Sequence, residues 1–188
     1  MEYKSYDCLG EFYFSDSVQQ TKDKLGNLEY EEGEIVFLEQ KNKTIYIPKY
    51  KLLIAFDENE YSVDYFEIKN GDFIFNGINL FKTHFSEVFN KLKTLDEGLE
   101  LNEEEGFNSK KLGLSVSKKL KDGHYLEKIE FVLAFSREYS NRAQEDVDDI
   151  INYYLGDNSI EIQPPVTGVK NNLLSRSIDR FISYFRLS

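Results

Sequence analysis

The chain has 188 residues, enough for one generous domain, and its 15 Phe and 13 Tyr can bury a large apolar area. That supply of aromatic rings argues against an intrinsically disordered chain. The net charge of −11 argues against binding to nucleic acid or to an anionic membrane, because the field of the protein itself repels polyanions.

The first half of the sequence predicts a strand, a helix and two hairpins. The strand is Phe12–Phe14, Ser15 is the expected N-cap of the helix, and Gly26 is its expected C-cap. The apolar face of this helix comprises Val18, Thr21, Leu25 and Leu28. Ile35–Leu38 and Thr44–Ile47 then predict a hairpin around a turn at residues 40–43, and residues 51–57 and 63–68 predict a second around residues 58–60.

The second half repeats this plan with a different insert. Residues 78–80 predict a strand, and a helix follows with Phe85, Val88, Phe89 and Leu92 on one face. A shift of 67 residues lays Val18 on Phe85, Thr21 on Val88 and Leu25 on Leu92. Residues 111–117 and 126–131 predict a hairpin with its turn at residues 121–123. Between helix and hairpin, residues 96–108 predict an acidic loop instead of an extra hairpin.

The remaining third of the chain predicts helices. The first has Asn141 as its expected cap, Gly156 as its stop and an apolar face of Val147, Ile150, Ile151, Tyr154 and Leu155. Pro164 and Pro165 forbid helix in the next segment, and the last helix presents Leu174, Ile178, Phe181, Ile182 and Phe185.

We therefore expect an α+β protein with mostly antiparallel sheets and one compact unit over 1–188. It would contain degenerate repeats at 9–75 and 76–135 and a helical appendage at 136–188.

The sequence also indicates a compartment. Nothing after Met1 resembles a signal peptide, and no stretch approaches the roughly 20 apolar residues of a membrane helix. A single cysteine, Cys8, excludes an internal disulfide. We expect a soluble, cytoplasmic protein, and the abundance of Lys, Asn, Ile, Phe and Tyr favours a bacterial source with AT-rich coding DNA.

Motifs for catalysis or cofactor binding are absent from the sequence. His84 and His124 occur without HxxH, HExxH or CxxC spacing, so we predict no metal site. The sequence contains no GxSxG, GxGxxG or GxxxxGK, which leaves serine hydrolase chemistry and phosphate-cradling loops without support. We predict no cofactor.

One short pattern leaves an enzymatic alternative open. Asp57 followed by Glu67 and Lys69 resembles the metal-dependent nuclease pattern of Asp and Glu-x-Lys, in which two carboxylates hold a divalent ion and the lysine helps to activate water. Glu67 and Lys69 would share one face of a strand. A nuclease also needs a basic groove, which this acidic chain does not supply, so a solvated hairpin face is the favoured interpretation.

Three acidic clusters are the main functional signal. The first comprises Glu29, Glu31, Glu32 and Glu34, and the third comprises Glu145, Asp146, Asp148 and Asp149 in the first turns of a predicted helix, where acids suit the helix dipole. The second has no basic residue and includes three apolar ones. We predict that it binds a partner through Asp96, Glu97, Leu99, Glu100, Leu101, Glu103, Glu104, Glu105 and Phe107. A simple solvated loop is the competing interpretation.

The tandem strand-helix-hairpin plan resembles the small acidic immunity proteins that bacteria encode beside secreted polymorphic toxins. The segments that suggest it are residues 10–26 and 52–68, echoed by 77–92 and 112–131. The resemblance implies tight binding to a cognate toxin, often a basic nuclease, by blocking its active site or substrate groove. It assigns no functional residue by position.

Two non-enzymatic functions follow from these observations. The first is an acidic inhibitory protein that binds a basic protein partner, with carboxylates that mimic a polyanionic substrate and raise the association rate. The second is an interaction or assembly module that self-associates through its last helix. An enzyme that uses Asp57, Glu67 and Lys69 is the third and least favoured interpretation.

Overall fold

The structure is a computed structural model that describes residues 1–37, 40–102 and 105–142, with the backbone alone described at residues 36, 37 and 40. The chain divides into two compact units, Met1–Tyr139 and Ser140–Ser188. Most of the described residues belong to the first unit. The predicted single unit over 1–188 stays a prediction.

A seven-stranded antiparallel sheet forms the centre of the first unit. Its spatial order is β10-β11-β12-β7-β6-β5-β4, and every neighbouring pair in it is antiparallel. The strands are β4 (Glu31–Phe37), β5 (Gln40–Ile47), β6 (Leu52–Phe56), β7 (Val63–Ile68), β10 (Gly106–Ser109), β11 (Leu114–Lys121) and β12 (His124–Phe135). The predicted α+β class with mostly antiparallel sheet is confirmed.

A smaller five-stranded sheet is built from short strands of the N-terminus and the middle of the chain. Its order is β3-β2-β1-β8-β9, in which only the β1–β8 pair is parallel. The strands are β1 (Glu2–Lys4), β2 (Cys8–Leu9), β3 (Phe12–Tyr13), β8 (Ile74–Phe75) and β9 (Ile78–Asn79). Tyr3 ties this sheet to the larger one, because its hydroxyl hydrogen-bonds the carbonyls of Leu112 and Gly113.

Two short helices bury one face each, as the periodicity predicts. Helix α1 (Val18–Leu25) buries Val18, Thr21 and Leu25, and α2 (Phe85–Lys93) buries Phe85, Val88 and Leu92. The buried positions of the two helices are therefore related by the 67-residue shift seen in the sequence. Gly26 is the C-cap of α1, as predicted.

The predicted N-cap of α1 was wrong by two residues. Ser17 caps the helix: its side chain accepts a hydrogen bond from the backbone N–H of Gln20, and the Gln20 side chain accepts one from the N–H of Ser17. Ser15 lies in a turn that Asp16 closes by accepting from the N–H of Tyr13. The helix begins after Ser17 because Gln20, three residues later, completes a capping box with it.

The two predicted hairpins β6–β7 and β11–β12 are present, and the inserted hairpin β4–β5 is present with a different turn. Residues 40–43 lie in β5 and pair with Phe37, Val36, Ile35 and Glu34, so the predicted turn there was wrong. Asp122 and Gly123 link β11 to β12 with φ of 51° and 79°. Two successive positive φ angles are typical of the type I′ turn that matches the twist of a hairpin.

One apolar cluster joins both sheets and both helices. It includes Phe12 of β3 and the nearby Phe14, Phe66 of β7, Phe85 of α2 and Phe107 of β10. The rings of Phe14 and Phe66 lie 4.9 Å apart, and those of Phe85 and Phe107 lie 5.6 Å apart. This cluster fixes the side of the large sheet on which the helices pack.

The chain enters a helix directly after β12. Residues 137–142 are helical, and the Ser136 hydroxyl accepts a hydrogen bond from the N–H of Tyr139. Asn141 therefore lies inside this helical segment and does not cap a later one, which corrects its predicted role. The rest of the predicted C-terminal helices lies outside the described residues. No helix within the described ranges is long and apolar enough to cross a membrane.

Candidate partner-binding surface

The predicted binding segment starts at the end of α2 and is held to the protein by its own side chains. The Asp96 carboxylate accepts hydrogen bonds from the Ser109 hydroxyl at 2.6 Å and from the N–H of Gly98 at 3.2 Å. The Lys93 ammonium donates to the carbonyl of Leu99 at 2.6 Å. Asp96 is thus occupied locally and fixes the path of the loop that follows it.

The structure places two of the predicted binding residues in the core. Leu99 and Phe107 are each 1% exposed. The Phe107 ring lies 5.6 Å from the ring of Phe85 and 5.7 Å from that of Phe89, so it packs under α2. These two side chains anchor both ends of the loop, and Leu101, which is 39% exposed, is the apolar side chain of this segment that solvent reaches.

The acidic surface of the loop comes from residues before and between those anchors. Glu97 and Glu100 are exposed, and Glu105 is half-buried. Glu103 and Glu104 lie outside the described residues. The loop closes where Asn102 pairs with Gly106.

Gly106 makes that closure possible. A Cβ at this position would lie 2.0 Å from the carbonyl oxygen of Val116, and its φ is 128°. Both facts require glycine, because the backbone runs directly against β11 in a conformation that other residues rarely adopt.

The neighbouring hairpin projects beyond the sheet at this point. β10 pairs with β11 only as far as Ser117, and β7 pairs with β12 only from Val132 onward. Residues 118–129 therefore form a two-stranded arm, and register shifts around Lys118 mark the point where it leaves the sheet. Near the tip of the arm, Leu120 pairs with Tyr125 across the strands.

The arm is fixed at its base. The Glu127 carboxylate accepts a hydrogen bond from the N–H of Ser86 at 3.0 Å, in the first turn of α2. This bond lowers the pKa of Glu127, with the backbone N–H as the largest cause. The Lys118 ammonium lies 4.9 Å from the centre of the Phe85 ring. An isolated two-stranded ribbon is marginally stable in water, so these contacts stabilise the arm.

The loop and the arm meet at one end of the sheet. The N–H of Lys118 donates to the carbonyl of Glu105, so the base of the arm lies beside the acidic loop. Leu120 follows two residues later, about 7 Å farther along the strand. The large apolar side chains exposed in the described part of the chain are Tyr13, Tyr61, Leu101, Leu120 and Tyr125. The last three of them lie in this loop and arm.

Charge is separated across this end of the molecule. The arm carries Lys118, Lys119, Lys121 and Lys128 against two acids, Asp122 and Glu127. The loop before it contributes exposed carboxylates. Leu101 therefore lies among negative charges, whereas Leu120 and Tyr125 lie among the positive charges of the arm.

The other described acidic cluster lies at the opposite edge of the large sheet. Glu31, Glu32 and Glu34 are exposed on β4, which is the last strand at that edge, while the acidic loop leads into β10 at the first. Six strand spacings of about 4.8 Å separate β4 from β10, so the two clusters lie roughly 29 Å apart. The third cluster, Glu145 to Asp149, lies outside the described residues.

The residues of the enzymatic alternative have separate local roles. Asp57 accepts hydrogen bonds from the N–H of Tyr61 at 2.9 Å and from the Ser62 hydroxyl at 3.0 Å, and so closes the β6–β7 turn. Glu67 forms an ion pair with Lys69 at 3.0 Å. Glu67 pairs with Leu53 of β6. Because Leu53 stands four residues before Asp57, Glu67 and Asp57 lie about 13 Å apart along the strand direction.

The two histidines lie at the ends of secondary-structure elements, and the cysteine is buried. His84 is the N-cap residue of α2, and His124 is the first residue of β12. Burial, with help from Asp7, raises the pKa of the Cys8 thiol, which disfavours the reactive thiolate. Among the described residues, no group of three or more His, Cys, Asp or Glu side chains is arranged to hold a metal ion.

Leu120 and Tyr125 were not predicted as surface residues. The alternation around the Asp-Gly turn indicates a hairpin, but alternation alone does not show how far the hairpin extends beyond the neighbouring strands. That follows from the short pairing of β10 and β7, which a single sequence does not reveal.

Comparison with known proteins adds little to this description. No family model matches the sequence, and no curated protein does. The crystal structure of the uncharacterized protein yfeY from Escherichia coli is similar over 70% of this chain and 97% of its own, with 12% identity and a TM-score of 0.48. This similarity is too distant to transfer a fold or an activity.

Proposed function

We propose that the protein is a non-enzymatic inhibitor that binds a basic protein partner directly, in the manner of a cytoplasmic bacterial immunity protein that neutralises a toxin. The contact is made by an acidic-apolar surface, defined here as Glu97, Glu100 and Leu101 of the loop with Leu120 and Tyr125 of the arm. No cofactor takes part.

The observation that carries the proposal is the exposure of three large apolar side chains in the acidic loop and the adjoining arm. Leu101, Leu120 and Tyr125 are 39%, 38% and 36% exposed. Exposed apolar anchors within a charged rim are typical of the energetic centre of a protein interface, because the rim keeps water from the desolvated contact. The fixed base of the arm supports this use, since rigid elements lose less entropy on binding.

The charges around these anchors give the proposed contact its specificity. Carboxylates at Glu97 and Glu100 attract a basic partner and raise its association rate, as a polyanionic substrate would. The lysines of the arm repel the same basic surface. The partner is therefore held in one orientation, with its basic groove over the loop.

We also propose the finer features of the architecture that the sequence predicts. Residues 9–75 and 76–135 are degenerate repeats, supported by the matching buried positions of α1 and α2. The two C-terminal helices belong to this part of the proposal.

The first experiment is affinity capture with the full chain from the source organism at low and at raised salt, followed by purification of a retained basic protein. We expect this protein to lose its activity when the chain is added in equimolar amount. Retention that does not change the activity of the partner would contradict an inhibitory function.

Surface variants then test the site with the purified partner. Glu97→Lys with Glu100→Lys should slow association about tenfold at low salt, with a smaller effect as salt rises. Leu120→Ser with Tyr125→Ser should weaken binding by tenfold or more, mainly through faster dissociation. The matched controls are Glu58→Lys and Tyr61→Ser, two exposed residues of the β6–β7 turn. Equal effects of both sets would show that the surface is misplaced.

A further inference from the structure

The outer edge of the large sheet offers a second kind of contact. β4 has β5 on one side and is the last strand in the order of the sheet. In an antiparallel pair, alternate residues direct their N–H and C=O groups away from the partner strand. No hydrogen bond to these outward groups of Glu31–Ile35 is present in the described part of the chain. The described residues therefore leave this edge free to pair with another strand.

The side chains of this edge leave its backbone accessible. Residues 31–34 are all exposed, so neither face of the strand is covered along this stretch. Gly33 has no side chain, and a Cβ there would lie 3.1 Å from the Thr44 hydroxyl oxygen. Glycine inside a strand permits another backbone to approach closely.

Charge determines which strand this edge accepts. Glu31 and Glu34 are exposed and carry the negative charge of the edge. Glu32 is bound by Lys22 at 2.7 Å, which fixes the strand to α1. A second copy of this acidic edge would be repelled, whereas an extended segment rich in Lys or Arg would be attracted.

We propose that β4 binds an extended basic segment of a partner protein by strand addition. The backbone of the segment pairs with the open edge, and its basic side chains contact Glu31 and Glu34. This inference rests on the proposed function in taking the partner to be basic. It adds a contact about 29 Å from the acidic-apolar surface, so one large partner, or one partner with a basic extension, would span the sheet.

The test uses the full chain and three labelled peptides of about nine residues. The first alternates Lys and Val, the second alternates Glu and Val, and the third is the Lys-Val peptide with N-methyl groups that block strand pairing. We expect the first to bind and to protect the amides of residues 31–37 from hydrogen exchange. The other two should bind at least about tenfold more weakly.

Variants locate the contact. Glu31→Lys with Glu34→Lys should weaken the Lys-Val peptide at least about tenfold. The matched control, Glu11→Lys with Glu58→Lys, removes the same number of exposed carboxylates outside both proposed surfaces and should leave peptide binding unchanged. If the control reduces peptide binding as much, or if the N-methylated peptide binds equally well, the attraction is a general charge effect and strand addition is wrong.

The remaining outcomes separate this inference from the proposed function. If no peptide binds and Glu31→Gln with Glu34→Gln makes the chain associate with itself, the carboxylates only guard the edge and the inference fails. If β4 variants leave partner binding intact while variants of Glu97 and Glu100 weaken it, the proposed function stands without the edge contact.

Discussion

Single buried polar groups join distant parts of this protein. Tyr3 is 2% exposed, and its hydroxyl hydrogen-bonds the carbonyls of Leu112 at 3.1 Å and Gly113 at 3.0 Å while accepting from the N–H of Tyr6. Burial raises the pKa of Tyr3 far above its ordinary value of 10.0. Burial also raises the pKa of Tyr65 well above that value. The folded protein thus holds both phenols in the neutral form.

This shift predicts a loss of stability at alkaline pH. A group whose pKa is raised by folding stabilises the folded state fully at pH values below its unfolded pKa, here about 10. This stabilisation is lost as the pH rises toward the folded pKa. The free energy of unfolding should therefore fall with pH above about 10, because the unfolded chain releases these protons first. Urea titrations between about pH 8 and about pH 11 measure the slope.

Tyr3→Phe separates the contribution of this residue. The variant should be less stable at neutral pH by about 1–2 kcal/mol, because the Leu112 carbonyl loses its buried donor. Its stability should also fall less steeply above about pH 10. An unchanged slope would show that Tyr3 does not carry the alkaline transition.

At the scale of elements, short helices depend on their ends. Helix α1 has eight residues, too few to be stable alone, so its capping box and its buried face hold it together. The cap also orders the chain between β3 and α1, which delivers Phe14 to the core beside Phe66. A local hydrogen bond thus supports a long-range contact.

Two serines two residues apart should therefore differ in effect. Ser17→Ala should cost about 1 kcal/mol, since it removes the acceptor for the N–H of Gln20. Ser15→Ala should stay within about 0.5 kcal/mol, because this exposed residue caps nothing. Chemical denaturation of both variants tests the assignment, and a larger loss at Ser15 would restore the cap that the sequence favoured.

At the scale of the whole molecule, one apolar cluster joins the two sheets with α1 and α2. The same cluster includes Leu9 and Phe12 of the small sheet, Phe66 and Leu114 of the large sheet, and Val88 of α2. Because the small sheet has strands of two or three residues, it has no separate core of its own. Both sheets are therefore expected to unfold together.

Phe66→Ala tests this unity. The side chain is fully buried, and its removal should cost about 3–5 kcal/mol through lost burial and a cavity. Circular dichroism and tyrosine fluorescence should report the same lowered midpoint. Leu120→Ala, in the exposed arm, should change stability by less than about 0.5 kcal/mol. Two separated transitions in the Phe66 variant would contradict a single core between the sheets.

Much of the local structure followed from local patterns. The 3.6-residue spacing predicted which sides of α1 and α2 are buried, Gly26 predicted a helix end, and the Asp122–Gly123 pair predicted a hairpin turn. Errors arose where two local signals competed. Ser15 and Ser17 are both plausible caps, and only the reciprocal bond with Gln20 distinguishes them.

The predicted site shows where a single sequence stops being informative. Composition showed that residues 96–107 are acidic with apolar residues among them, but the sequence did not show which of these would be buried. Phe107 packs against Phe85 and Phe89 of α2, and Leu99 is buried in the same apolar cluster, whereas Leu101 stays exposed.

By itself, the sequence determined the α+β class, the faces of the helices and the acidic charge, since periodicity, turn residues and titratable groups are local properties. The tertiary structure decided that Leu120 and Tyr125 are exposed on an arm whose base lies beside the acidic loop, and that β4 is the last of the described strands in the large sheet. Both depend on which strands become neighbours and where their pairing ends. Pairing between strands far apart in sequence is set by packing of the whole core, which no local segment encodes.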